Sequence, residues 1–231
     1  MQSESYKSDG HYESHESYAE LHCFSNFSFL TGASHPHELA EQAAGLGYSA
    51  LAITDACSVA GIPRAWAALK NSPVKLITGS WFELSDAPPG ACTPRFILLA
   101  RTRKGYGQLC QLITSARRRA EKGQYQLYYR DLEVHALDDC LCLWLPPTLA
   151  SADSQQALAA GEWLLRLFDR RLWLAASRTL ESGEEQQLAR IRWLAGELRC
   201  PITASNRTTM NIFNMHGSVG LSGLYIIARY E

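Results

Sequence analysis

The chain has 231 residues with a formal net charge of −1, and 46% of its residues are hydrophobic. This composition is typical of a globular protein, and the balanced charge gives no overall field for nucleic acid or a membrane surface. No run reaches the roughly 18 apolar residues of a membrane span, and the polar N-terminus lacks the apolar region of a signal peptide. The seven cysteines are scattered without a CxxC pair, which predicts reduced thiols in a cytoplasmic protein.

A polar segment precedes a repeating strand–helix pattern. Residues 1–17 are polar and acidic, which predicts a disordered lead-in. Between residues 18 and 206, apolar runs of strand length alternate with amphipathic helical runs, of which 184–198 is the clearest. The predicted strands are 18–23, 50–53, 74–77, 96–100, 141–145, 172–175 and 201–204, with an additional edge-like strand at 81–84. Repeated βα units predict a parallel sheet or barrel.

The pattern stops after residue 206. Residues 207–231 show neither a helical nor a strand period that continues the alternation. A domain built of βα units is not expected to stop on a strand followed by such a tail. We therefore expect the encoded product to be truncated or frame-shifted here, and reading the DNA beyond codon 206 in all frames would test this expectation.

Polar residues follow several predicted strands. His22 and Ser25 follow the first strand, Asp55 follows the second, and Asn206 follows the seventh. In α/β proteins the carboxyl ends of the strands carry the functional site, so His22 and Asp55 are candidate metal ligands. Two ligands do not make a catalytic metal site, which normally has at least three protein groups.

Three segments around these residues carry a family resemblance: YAELHCFSNFSFLTGAS, LGYSALAITDACSVAG and KLITGSWF. They resemble the polymerase-and-histidinol-phosphatase (PHP) domain at the N-terminus of bacterial DNA polymerase III alpha subunits. More narrowly, they are similar to the error-prone paralogue used in damage tolerance, and FILLARTRKGYGQLCQLITSARRRAEKGQY extends the match. The resemblance covers residues 18–206. It implies an α/β fold, a distorted (β/α)7 barrel, which would be incomplete at its C-terminal end here.

The family's metal pattern is mostly broken in this chain. Four positions that carry a ligand in the family differ: Phe24 in the opening His-x-His, Ala56 in the Asp-His after the second strand, Trp81 where a Glu follows Gly-Ser, and Asn206 where the late Asp-x-His should begin. His22 and Asp55 remain as a vestige. The resemblance thus implies neither a catalytic residue nor a cofactor in this chain. Zinc or manganese is the alternative if further ligands complete the site.

A basic cluster provides candidate nucleic-acid contacts. Arg117, Arg118, Arg119 and Lys122 close a predicted helix and could contact phosphates. The alternative is a solvated helix end, where cations complement the helix dipole.

Three functional hypotheses follow. The first is a non-catalytic N-terminal PHP fragment of an error-prone DNA polymerase, acting in DNA replication and translesion repair. The acidic triad that polymerises DNA lies in downstream regions of that family, so the implied partners are the polymerase body, DNA through that body, and other damage-tolerance proteins, without a membrane. The second is a stand-alone metal-dependent phosphoesterase. The third is a structural or partner-docking module, since apolar Phe24 and Trp81 could fill the old site.

Overall fold

The strands follow one another in the sheet in the same order as in the sequence. The computed structural model describes residues 18–148, 152–177 and 183–205. Residues 1–17 and 206–231 lie outside these ranges, so the lead-in, Asn206 and the tail stay predictions. Among the described residues the strands are β1 (Ala19–Cys23), β2 (Ala50–Ile53), β3 (Lys75–Glu83), β4 (Arg95–Ala100), β5 (Cys140–Leu145), β6 (Leu172–Ala176) and β7 (Ile202–Ala204).

Helices connect most of these strands. They are α1 (Pro36–Gly45), α2 (Ile62–Leu69), α3 (Arg103–Arg119), α4 (Tyr129–Val134), α5 (Ser154–Phe168) and α6 (Glu184–Leu198), with a short 3-10 helix at Asp169–Arg171. The pattern of buried positions explains the longer ones: Leu188, Ile191, Leu194 and Leu198 lie on the buried side of α6. The sequence pattern did not predict α4, a helix of 6 residues that is too short to show a clear period.

The strand directions correct the expectation of a wholly parallel sheet. β1, β2 and β3 are mutually parallel, as are β5, β6 and β7, but β4 is antiparallel to both of its neighbours. Residues 84–94 join β3 to β4 without a helix, and a parallel return would need a crossover of a dozen or more residues. The seven-stranded α/β barrel is confirmed, and it is incompletely closed, because β1 and β7 do not pair within the described ranges.

The third strand is longer than the sequence indicated. The predicted strand at 74–77 and the predicted edge strand at 81–84 form one continuous strand, β3, of 9 residues. Its second half extends past the end of β2 and pairs with β4. Trp81 consequently lies in the second half of one long strand, not in a separate edge strand.

Two hydrophobic cores lie outside the sheet and a third lines its inner face. The largest contains Phe82, Phe96 and Trp144, all fully buried, between the second half of the sheet and helices α3, α5 and α6. A smaller core packs β1 and β2 against α1 and α2. The inner face carries aliphatic residues and Trp173, and Trp81 lies at the same face.

Candidate functional site

The ends of β1, β2 and β3 bring the residues predicted for the site together. The ring centroids of His22 and Phe24 are 4.7 Å apart, and those of Phe24 and Trp81 are 5.8 Å apart, both in edge-to-face geometry. Ala56 forms an isolated parallel bridge with Trp81. Aromatic pairs at these distances and angles attract each other beyond the area that they bury. Phe24 and Trp81, two positions where the resemblance implies ligands, thus form one aromatic contact.

Asp55 is fully buried and anchors the loop that follows β1. Its Oδ1 accepts hydrogen bonds from the backbone N–H of Ser25 at 2.8 Å and from the Ser28 hydroxyl at 2.7 Å. Its Oδ2 accepts from the Ser25 hydroxyl at 2.7 Å. Both carboxyl oxygens are therefore engaged with protein donors. Such bonds compensate the cost of burying the group.

His22 is buried in β1 beside β2. Its Nδ1 lies 3.0 Å from the hydroxyl oxygen of Thr54, and this oxygen also accepts from the backbone N–H of Cys23 at 3.1 Å. The imidazole thus contacts the hydroxyl of the residue that follows β2 and packs edge-to-face against the Phe24 ring. The ring is held as part of the packing between strands.

Backbone bonds tie the segment after β2 to β3. The Trp81 N–H donates to the carbonyl of Asp55 at 3.1 Å, and the Cys57 N–H donates to the carbonyl of Trp81 at 2.8 Å. The Ser80 hydroxyl donates to the same Asp55 carbonyl at 2.8 Å and accepts from the Ser58 N–H at 2.9 Å. The Asp55 carbonyl is therefore held by two donors of β3, one from the backbone and one from a side chain.

The described residues do not fit a catalytic metal. Within the described ranges, no three His, Cys, Asp or Glu side chains are grouped so that they could hold a metal ion. Phe24, Ala56 and Trp81 offer no donor atom, and the oxygens of Asp55 already accept three hydrogen bonds. Asn206 lies outside the described residues.

The neighbouring thiols are not poised as nucleophiles. Burial raises the pKa of Cys23 far above its usual value, and nearby Glu20 and Asp55 raise it further. Burial also raises the pKa of Cys57 to about 12, against the opposing effect of the Arg117 guanidinium. A thiol needs its thiolate form to react, so burial keeps both cysteines in the unreactive form.

The basic cluster divides into two groups. The Arg117 guanidinium donates to the carbonyls of Ala56 at 2.8 Å and Cys57 at 3.1 Å, and to two carbonyls of the loop after α3 at 3.2 Å each. Arg117 therefore joins the end of α3 to residues 56–57, which follow Asp55. Arg118 and Lys122 are exposed and lie at and just beyond the end of α3.

Arg119 is directed at α4. It forms two hydrogen bonds with the Asp131 carboxylate, at 2.6 and 2.9 Å, and lies 5.0 Å from the ring centroid of Tyr128. Burial by itself raises the pKa of Asp131, but the hydrogen bonds from Arg119 and from the Tyr128 N–H outweigh it and lower the pKa below its usual value. Arg117 and Arg119 thus have internal protein contacts, unlike Arg118.

Sequence reasoning named the candidate residues but missed the groups that hold them. Ser28, Thr54 and Arg117 make the decisive hydrogen bonds, and two of these residues had been given no role. A serine three residues after Ser25 is visible in the sequence. Nothing in its spacing indicates that both hydroxyls converge on a carboxyl 27 to 30 residues away.

Comparison with known proteins places these observations in a family. The model of the PHP domain matches residues 20–179. The error-prone DNA polymerase of Methylococcus capsulatus is 46% identical over 194 residues, which cover 84% of this chain and 17% of the relative. That of Vibrio vulnificus is 49% identical over 196 residues (84% and 18%), and that of Pseudomonas savastanoi is 41% identical over 226 residues (93% and 21%). The chain thus spans only 17–21% of the length of these relatives.

Solved structures share the fold. A protein of Bifidobacterium adolescentis with the provisional description metal-dependent phosphoesterase superposes with a TM-score of 0.61 at 14% identity, over 90% of this chain and 91% of its own. An amidohydrolase from Chromobacterium violaceum superposes with a TM-score of 0.57, also at 14% identity, over 84% and 88%. Within the described ranges, every helix is too short or too polar to cross a bilayer. Taken with the fold and the matched residues, the family model shows that the chain belongs to the PHP domain family.

Proposed function

We propose that this chain is the N-terminal PHP portion of an error-prone DNA polymerase that acts in DNA replication and translesion repair, and that its own role is structural. The identity of 41–49% to error-prone polymerases supports the assignment, and the short share of their length that is matched supports a part of a larger enzyme. Its partners are the polymerase body, DNA through that body, and other damage-tolerance proteins.

The observation that best supports the structural role is that packing and internal hydrogen bonds occupy the candidate site. Phe24 and Trp81 pack against each other where the family has ligands, and the oxygens of Asp55 are occupied by two serines. A hydrolytic metal must bind water or substrate at open positions, which requires several donor side chains around it. The described site supplies packing and internal hydrogen bonds in their place, so we expect no cofactor.

The second candidate is a metal-dependent phosphoesterase. The fold shared with the Bifidobacterium adolescentis protein favours it, together with His22 and Asp55 at the strand ends. It requires that zinc or manganese bind the chain and that ligands other than Phe24, Ala56 and Trp81 complete the site.

Metal analysis and turnover separate the two functions. The full chain is purified without chelators, its zinc and manganese are measured, and it is assayed with p-nitrophenyl phosphate and with a primed DNA template. The structural role predicts substoichiometric metal, no phosphatase turnover and no primer extension. A variant with Phe24→His, Ala56→His and Trp81→Glu restores the family's ligands and is the control for metal loading.

Two results would contradict the structural role. One is stoichiometric metal in the unsubstituted chain. The other is phosphatase turnover that a chelator abolishes and that Asp55→Asn removes, since an adventitious contaminant would not respond to this substitution. Primer extension by the chain alone would contradict the expectation that polymerisation resides in the rest of the enzyme.

A further inference from the structure

The loop between β1 and α1 presents large apolar side chains to solvent. Phe29 is 85% exposed and Leu30 is 91% exposed, and Phe27 beside them is 38% exposed. We call residues 27–30 the apolar knuckle. Scattered exposed apolar residues are ordinary, but three within four positions of one loop form a local patch that costs free energy in water.

Hydrogen bonds hold the apolar knuckle in place. The Asp55 carboxyl accepts from the hydroxyls of Ser25 and Ser28, and backbone bonds run from the N–H groups of Ser28 and Gly32 to the carbonyls of Ser25 and Ser28, at 2.9 and 3.0 Å. A Cβ at Gly32 would lie 2.0 Å from the Ser25 carbonyl oxygen, so the two arms of the loop touch there.

The backbone of the knuckle is strained at its most exposed residue. Leu30 has a φ of 61°, a conformation that residues with a Cβ rarely adopt. Such strain persists only where the surrounding structure imposes it, and it occurs more often at binding and switch sites. The fold therefore holds the Leu30 side chain in solvent, because the buried Asp55 carboxyl fixes the loop in this conformation.

We infer that the apolar knuckle docks into an apolar pocket on the polymerase body, the part of an error-prone polymerase that this chain does not span. The inference rests on the proposed function. The length of the relatives indicates the binding partner of the knuckle. The chain matches only 17–21% of these polymerases, so the same molecule offers a large further polypeptide surface. A preformed loop loses little conformational entropy on binding, which favours docking over exposure.

The chemistry of the knuckle suits a protein pocket better than DNA. Its most exposed member is aliphatic, and leucine cannot stack on bases as aromatic rings do. The neighbouring cation, Arg64, lies over the Phe27 ring at 5.5 Å from its centroid. Binding to DNA depends on several Lys or Arg side chains that neutralise phosphates, and the knuckle itself contains none.

A binding experiment in trans tests the inference. The full chain is titrated against Methylococcus capsulatus error-prone polymerase from which the matched segment has been deleted, after cooperative thermal unfolding has shown that this shortened polymerase is folded. The double variant Phe29→Ser, Leu30→Ser is compared with Leu46→Ser, Val134→Ser, which alters two exposed apolar residues elsewhere (48% and 81% exposed). We expect the knuckle variant to bind about a hundredfold more weakly, roughly tenfold for each buried side chain, and the control to bind as the unsubstituted chain does.

The outcomes separate the two proposals. If the unsubstituted chain does not bind the deleted polymerase, the proposed function and the docking inference both fail. If the chain and its knuckle variant bind equally, only the docking inference fails. Thermal unfolding of each variant alone must match the unsubstituted chain, which both pairs of exposed positions should allow. A loss of single-stranded DNA binding or of self-association in the knuckle variant, with polymerase binding unchanged, would assign the knuckle to DNA or to a second copy and overturn the inference.

Discussion

Replacing Asp55 with alanine tests whether this buried carboxyl serves as the anchor of the loop after β1. Asp55 accepts three hydrogen bonds, from one backbone N–H and two hydroxyls. A hydrogen bond to a charged group contributes roughly 1.5–3 kcal/mol, and the substitution also removes the cost of burying the carboxyl. We therefore expect Asp55→Ala to lower the free energy of unfolding by about 3–5 kcal/mol, a large share of the roughly 5–15 kcal/mol typical of a domain.

Urea unfolding followed by tryptophan fluorescence measures this loss. The matched control is Asp153→Ala, because the Asp153 carboxylate makes one bond to the described part of the chain, to the Gln156 N–H at 2.7 Å, as the cap of α5. Loss of such a cap costs about 1 kcal/mol.

Two results would refute the reasoning about Asp55. The first is a loss for Asp55→Ala no larger than that of the cap control. The second concerns metal: if zinc or manganese raises the unfolding midpoint of the unsubstituted chain but leaves Asp55→Ala unchanged, the carboxyl is a ligand and the loop is not its main partner.

Three further substitutions follow from the structure. Arg117→Ala should lower the free energy of unfolding by about 2–3 kcal/mol, because several carbonyls lose a charged donor. Arg118→Ala should change it by less than about 0.5 kcal/mol. If the two variants instead weaken DNA binding equally and do not differ in stability, both arginines contact phosphates. Gly161→Ala should lower the free energy of unfolding by about 1–3 kcal/mol, since the new Cβ would lie 2.4 Å from a leucine methyl. Gly107→Ala, which has open space around it, should stabilise α3 by about 0.5–1 kcal/mol. Urea unfolding that ranks the two variants the other way would contradict this packing. Asp131→Asn should remove part of the acid sensitivity: the pKa of Asp131 is lowered in the folded state, so its contribution is present above the usual value of 3.8 and is lost as the pH falls through the folded pKa. Unfolding curves for Asp131→Asn and the unsubstituted chain should converge at low pH, and a constant difference would contradict the argument.

The candidate site combines aromatic packing with an anchored loop. Trp81 and Phe24 contact each other where the resemblance implies metal ligands, and Asp55 fixes the loop that carries the apolar knuckle. A buried carboxyl without hydrogen-bond donors is costly, so Asp55 needs donors close by. Ser25 and Ser28 supply those donors here.

The sequence alone determined the class of fold. Apolar periodicity is local, so the bounds of β2 and α6 agree with prediction, and the strand ends indicated His22 and Asp55 as candidates. The tertiary structure alone decided the direction of β4, because the pairing of a strand depends on its neighbours and on the connection between them.

The partners of the polar groups were likewise beyond the sequence. Arg117 contacts Ala56, 61 residues away, and Ser28 contacts Asp55, 27 residues away. A cation in a run of arginines looks the same in sequence whether it faces solvent or carbonyl oxygens, and a serine near a helix start looks like any capping residue. Hydrogen-bond partners are chosen by proximity in the folded chain, which is why the sequence located the candidate site but only the fold showed that its carboxyl is an anchor.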